Sequence, residues 1–174
     1  VRKRLATLVV VVTLLAGCGG GVEGRPVAAE RWDPCSIPDE AIEATGLDPA
    51  FRIVGWGEGI RVDDWSLCKF RAPAARQSYF LNVMSSESHT VGEARGNDSN
   101  FDDVDLTVGA REAFQYRTDV SEAVQDCNIA VPVPPGVVVF TVDFVGGVEP
   151  ESDPCDLVAT HAIDLEIQLP PMPG

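Results

Sequence analysis

Lysine is nearly absent from this chain: Lys3 and Lys69 are the only two in 174 residues. Basic residues of either kind number 13 against 27 acidic ones, a formal charge of −14. So few clustered cations exclude nucleic acid as a partner, because phosphate binding needs grouped Lys and Arg. Histidine occurs only as His89 and His161. They lie on remote segments, so a two-His metal site is not expected. No two cysteines stand at C-x₂₋₄-C spacing, which argues against structural zinc and dithiol redox chemistry. G-x-S-x-G and H-E-x-x-H are both missing. Gly55, Gly57 and Gly59 lack the spacing and the following helix of a nucleotide loop. Long apolar runs are absent except at residues 5–16, shorter than the ~20 residues a membrane-spanning helix needs.

What is present begins with that run. Arg2, Lys3 and Arg4 precede it, and Leu15-Ala16-Gly17-Cys18 closes it. A positive start, a short apolar stretch and small residues before a cut describe a signal peptide. Cysteine at the cut resembles a bacterial lipobox, whose thiol takes a diacylglycerol and becomes the new N-terminus. Residues 1–17 are therefore expected to be a lipoprotein signal peptide and Cys18 a lipidation site. Residues 18–31, with Gly19, Gly20, Gly21 and Gly24, read as a flexible tether, since glycine runs bury nothing. A single globular domain is expected over 32–170, with a tail at 171–174. Loss of Arg2, Lys3 and Arg4 leaves 10 basic residues against 27 acidic, a net charge of −17. The preference for Arg over Lys, with abundant Ala, Val, Gly, Asp and Pro, points to a high-GC bacterium.

Setting Cys18 aside leaves Cys35, Cys68, Cys127 and Cys155, an even number in an oxidising compartment. Three pairings are possible. Cys35–Cys68 and Cys127–Cys155 are favoured, because each joins a Pro-preceded segment start to a nearby strand.

Asp33-Pro34-Cys35 opens a helix expected to reach Thr45, with Gly46 as its stop. Asp153-Pro154-Cys155 echoes that opening, and helical spacing runs to Leu169 before Pro170 and Pro171 end it. Strands are expected at 51–56, 65–70, 79–84, 110–117, 127–133 and 137–145, with Pro134-Pro135-Gly136 as a hairpin turn. Residues 87–95 suggest a weak helix and 96–105 a polar loop. The fold class is α+β: an antiparallel sheet of about six strands, two or three helices packed on it, and two disulfides.

These features resemble a family of actinobacterial lipoproteins of the mycobacterial type, grouped as domain of unknown function 3558. The resemblance rests on the lipobox at Cys18, Asp33-Pro34-Cys35, Trp65-x-x-Cys68-x-Phe70, Cys127 opening a Val-rich strand, and Asp153-Pro154-Cys155 opening the last helix. It spans about residues 31–170. It implies a secreted, lipid-anchored, two-disulfide α+β domain with no known activity and no catalytic residues.

Other constellations read as structural. Ser66 and Lys69 match S-x-x-K, but on a strand positions i and i+3 face opposite ways. His89 sits among serines and could accept a serine proton, but an exposed polar turn is the favoured reading. His161 falls on the apolar side of the last helix. Residues 97–105 carry four Asp and two Asn, oxygen-rich as in Ca²⁺ loops, but the EF-hand register fails. Asp63-Asp64 reads as a turn. Trp32, Trp56 and Trp65 are expected around the first disulfide, either packed over it or forming a partly open aromatic groove. No cofactor and no metal are expected. The function expected is a non-enzymatic interaction or small-ligand-binding domain of the cell envelope. It would be held at the extracytoplasmic face of the cell membrane by the lipid on Cys18. An envelope hydrolase and a lipid or hydrophobe carrier are the alternatives.

Overall fold

A computed structural model describes residues 31–73, 79–119, 124–145 and 150–173. Cys18, the signal peptide and most of the tether lie outside them. The chain builds one antiparallel sheet from β1 (Ile53–Val54), β2 (Ser66–Arg71), β3 (Tyr79–Ser86), β4 (Asn100–Val108), β5 (Arg111–Thr118), β6 (Val124–Pro132) and β7 (Val137–Val145). Their order is β1-β2-β3-β7-β6-β5-β4. After β3 the chain crosses to the far edge through the short helix α2 (Val91–Arg95), then meanders back strand by strand until β7 pairs with β3.

Both sheet faces are covered, by different means. The first bears α1 (Asp39–Ala44) and α3 (Pro154–Asp164), over a core that includes Phe70, Leu81, Val83, Ile129, Phe140 and Val142, all at 0 % exposure. Each such side chain contributes on the order of 1.5–3 kcal/mol by leaving water. The second face carries a smaller cluster of Phe114, Tyr116, Ala130, Val137 and Val139, with Trp65, Met84, Val91 and Ala94 against it. Ala113 and Tyr116, which strict alternation cannot place on one side, are both buried because they belong to opposite covered faces.

Both expected disulfides are present. Cys35–Cys68 ties the turn before α1 to β2, and Cys127–Cys155 ties β6 to the first turn of α3. Each Asp-Pro-Cys caps as expected: Asp33 accepts from the Cys35 N–H at 2.9 Å, and Asp153 from that of Cys155 at 2.7 Å. Arg111, 4 % exposed, donates to Glu166 Oε1 (3.2 Å), the Pro132 carbonyl (3.0 Å) and the Pro170 carbonyl (2.7 Å). It thereby fastens the C-terminal segment to the sheet.

Four differences from the element boundaries expected from sequence stand out; smaller ones are the start of α2 at Val91, of β6 at Val124 and the end of β3 at Ser86. The first helix is split into a 3₁₀ turn (Pro34–Ser36) and α1, because Pro38 lacks an N–H and forces Ile37 into an extended conformation. The strand expected at 51–56 shrinks to β1 as Gly55, at φ 75°, curls the chain away. The loop expected at 96–105 instead contains most of β4. That edge strand is held by backbone bonds to β5, so residues 101–105 stay exposed while Val108 reaches the core, and a bulge lies between Phe101 and Val104. The last helix ends at Asp164, and a separate 3₁₀ turn (Glu166–Gln168) continues toward Leu169.

Candidate functional site

The crossover through α2 creates a cleft of about 240 Å³ between that helix and the second sheet face. Ala130, Val137 and Val139 form its apolar floor, with Tyr116 and Thr118 beside them. Trp65, His89, Thr90, Glu93, Ala94, Asn97 and Asn100 form the walls. Helix α2 is too short to persist alone. A capping box holds it instead: the Thr90 hydroxyl accepts from the Glu93 N–H at 3.2 Å, and Glu93 Oε2 accepts from the Thr90 N–H at 2.8 Å. Val91 and Ala94 then pack on the floor cluster.

The wall is aromatic. Trp65 stacks on the His89 ring at 4.9 Å between centroids and 12° between planes. His89 Nδ1 lies 3.2 Å from Glu93 Oε2, and Nε2 lies 4.0 Å from Asp64 Oδ2. The Thr90 N–H, followed by His89, holds the Glu93 carboxyl below its ordinary range. Asn100 donates through Nδ2 to the Ala94 carbonyl at 2.7 Å, while its Oδ1 is buried without a hydrogen-bond partner. Asn100, a residue of the cleft wall, thus carries a buried acceptor with nothing to receive. Burial, with Asp126 as a secondary influence, pushes Tyr116 up to about 12, so its phenol stays protonated.

A row of polar side chains crosses the same face beyond this floor. Register aligns Lys69, Asn82, Thr141, Asn128 and Tyr116. The Thr141 hydroxyl donates to Asn128 Oδ1 at 2.6 Å, and Asn128 Nδ2 to Asp126 Oδ2 at 3.0 Å. A second hollow, about 410 Å³, opens beside the β4 edge between Arg95, Asp105, Leu106, Thr107, Glu112 and Ala113. The Arg95–Asp105 ion pair lines it, whereas the α2 cleft combines an aromatic wall, an apolar floor and an unmatched acceptor. The second combination is what a small-molecule site needs, so size does not decide between them.

The residues singled out from sequence separate accordingly. His89 meets carboxylates; the Ser86 hydroxyl contacts the backbone N–H groups of Ser88 and His89 and the Ser88 hydroxyl. Asp64, read as a turn residue, faces His89. His161 is 2 % exposed, with Nε2 and the Tyr79 hydroxyl 2.8 Å apart, and burial pushes it down to about 4. Ser66 and Lys69 occupy opposite faces of β2, and Cys68 between them is in a disulfide. Trp32 packs on the helix-side core and Trp65 on the other face, so the three tryptophans do not form one cluster. Among the described residues, no three His, Cys, Asp or Glu side chains gather as a metal-binding group.

Sequence reasoning missed Asn82, Asn100, Tyr116, Asp126 and Asp143. For Asp126 and Asp143 the signal is polar residues at alternate positions of the otherwise apolar strands β6 and β7. Residues 13–166 match the family model described as Protein of unknown function (DUF3558). No curated protein and no solved structure matches the chain.

Proposed function

We propose, from the premise that the chain belongs to the DUF3558 family of unknown function, that it is a lipid-anchored lipoprotein of the cell envelope whose domain binds a small ligand in the α2 cleft. The observation that carries the binding reading is the cleft itself, lined by the stacked Trp65–His89 pair, an apolar floor and Asn100, whose buried Oδ1 is unpartnered. A ligand that lays an apolar or planar face on this wall and donates to Asn100 would satisfy both features. The anchor rests on the run from Arg2 to Cys18 and the glycine tether after it. Two disulfides support an oxidising location outside the cytoplasm. The acidic balance, −17 after processing, favours solubility and repels anionic headgroups, consistent with a head held off the membrane. No helix among the described residues is long and apolar enough to cross a membrane.

Two measurements test the two halves separately. Globomycin treatment of cells expressing the full chain should accumulate a precursor that retains residues 1–17; normal maturation refutes the anchor. Titration of the purified protein with a panel of neutral sugars, amino acids and aromatic acids should perturb the Trp65 indole and Asn100 amide NMR signals together. A panel that leaves both unmoved, or that moves the Asn100 amide equally in Trp65→Ala and wild type, refutes the cleft.

A further inference from the structure

Apolar side chains left in water gather beside β1. Three of the eight large hydrophobics exposed among the described residues fall within 53–60: Ile53 (42 %), Val54 (73 %) and Ile60 (58 %). After β1 the chain loops through Trp56, itself part-exposed, and returns to β2 at Ser66. The Gly55 N–H fastens the loop's base to the Leu67 carbonyl at 2.8 Å, and the Ile60 N–H closes its tip on the Gly57 carbonyl at 3.3 Å. In between, the backbone stands clear of the body: a Cβ at Gly55, Gly57 or Gly59 would meet nothing within 4 Å. Charge is even here in a chain that is strongly acidic overall. Arg52 and Arg61 stand against Glu58, Asp63 and Asp64, and Arg31, bonded to the Asp63 carbonyl, completes the balance. The opposite sheet edge, six strand spacings or about 30 Å away, sets its exposed Phe101 and Val104 among Asp102, Asp103 and Asp105. Exposed Ile163 and Ile167 likewise have Asp164 and Glu166 beside them in sequence.

The chain enters the domain at this same end. Arg31 donates through Nη2 to the Asp63 carbonyl at 2.6 Å, and the Trp32 carbonyl accepts at 2.5 Å from the hydroxyl of Ser85, which pairs with Ser66 at the start of β2. Twelve residues separate Arg31 from Cys18, a reach of at most about 45 Å. We propose that the loop at residues 53–60 docks on a neutral lipid surface, seating Val54, Trp56 and Ile60 in its interfacial zone. This rests on the anchor half of the function proposed above and is independent of the α2 cleft. Held by so short a connection, the loop meets the bilayer at an effective concentration on the order of millimolar, so contact too weak to bind a free protein becomes populated. Tryptophan among aliphatic side chains is what bilayer interfaces collect. The acidic remainder of the domain is repelled by anionic headgroups, which confines contact to the balanced edge.

The test reads Trp56 against the bilayer. The full chain, retaining residues 1–17, is reconstituted into phosphatidylcholine vesicles with plain or brominated acyl tails, and the floated protein is measured. Its apolar run at 5–16 holds it on the bilayer whether or not Cys18 is lipidated, so a failed globomycin experiment leaves this one readable. Tryptophan emission should fall in the brominated vesicles, and that fall should be lost in Trp56→Phe, where Trp32 and Trp65 still emit. The double variant Val54→Ser/Ile60→Ser should lose most of it, and because both side chains are exposed the fold should survive. Ile163→Ser/Ile167→Ser, at the other exposed pair, should keep it. No fall in the wild-type chain overturns the proposal and leaves the loop to a protein partner. A fall that survives in Trp56→Phe or in the loop double variant, or that disappears in the Ile163/Ile167 variant, shows that another surface faces the lipid and overturns it too. So does a fall that requires added phosphatidylglycerol, the mark of docking through Arg61 in place of apolar contact.

Discussion

His161 makes the acid sensitivity of this fold measurable. It lies on α3 at 2 % exposure, and burial pushes its pKa from 6.5 down to about 4. The native state therefore binds fewer protons than the unfolded chain between those values. Its contribution is intact above the unfolded pKa and is lost as pH falls toward the folded one. The full difference corresponds to about 3 kcal/mol, of which about 2 kcal/mol is lost between pH 7.5 and pH 5. His161→Gln removes the titration while retaining a group that can bond the Tyr79 hydroxyl. Urea unfolding at pH 7.5, 6 and 5 should show the variant less stable at the highest pH, by about 1 kcal/mol from imperfect packing. The gap should close and then reverse as pH falls. Asp143, whose pKa is raised, acts in the opposite direction, gaining stability as it takes a proton, and cancels in the comparison because both proteins retain it. Parallel pH profiles for the two proteins, or an NMR titration of the His161 ring near 6.5, would refute the reasoning.

Three further outcomes are expected. Replacing Cys127 and Cys155 together by alanine frees a loop of 28 residues and should cost about 3.5 kcal/mol, lowering the Tm by roughly 10 °C in a thermal melt. A loss under about 1 kcal/mol contradicts this. Arg111→Ala strands Glu166 and the two carbonyls it serves and should cost about 3 kcal/mol, measured by denaturant midpoint. An unchanged midpoint shows that the C-terminal segment is held by other contacts. Gly136→Ala would set a Cβ 2.0 Å from the Ser86 carbonyl oxygen and 2.9 Å from Glu87 Cα, a backbone collision worth about 2 kcal/mol or more. A variant that melts with wild type refutes that close approach.

Local physics made much of the architecture legible without coordinates. The apolar runs of β6 and β7, the turn between them and the Asp-Pro-Cys caps are specified by neighbours a few residues apart. The disulfide pairs followed from the same local units, since each joins a helical start to a strand already readable. Tertiary structure alone decided the rest. Strand β4 is disguised by its acidic first half, because an edge strand is held there by backbone bonds while Asp102, Asp103 and Asp105 remain in water, and only its end reaches the core through Leu106 and Val108. Trp65 and His89 are 24 positions apart and meet only because the crossover after β3 brings α2 over the second face. Asp126 and Asp143 oppose each other through the register of β6 on β7. A one-residue slip would send every side chain to the other face, so no composition or local motif could reveal that pair.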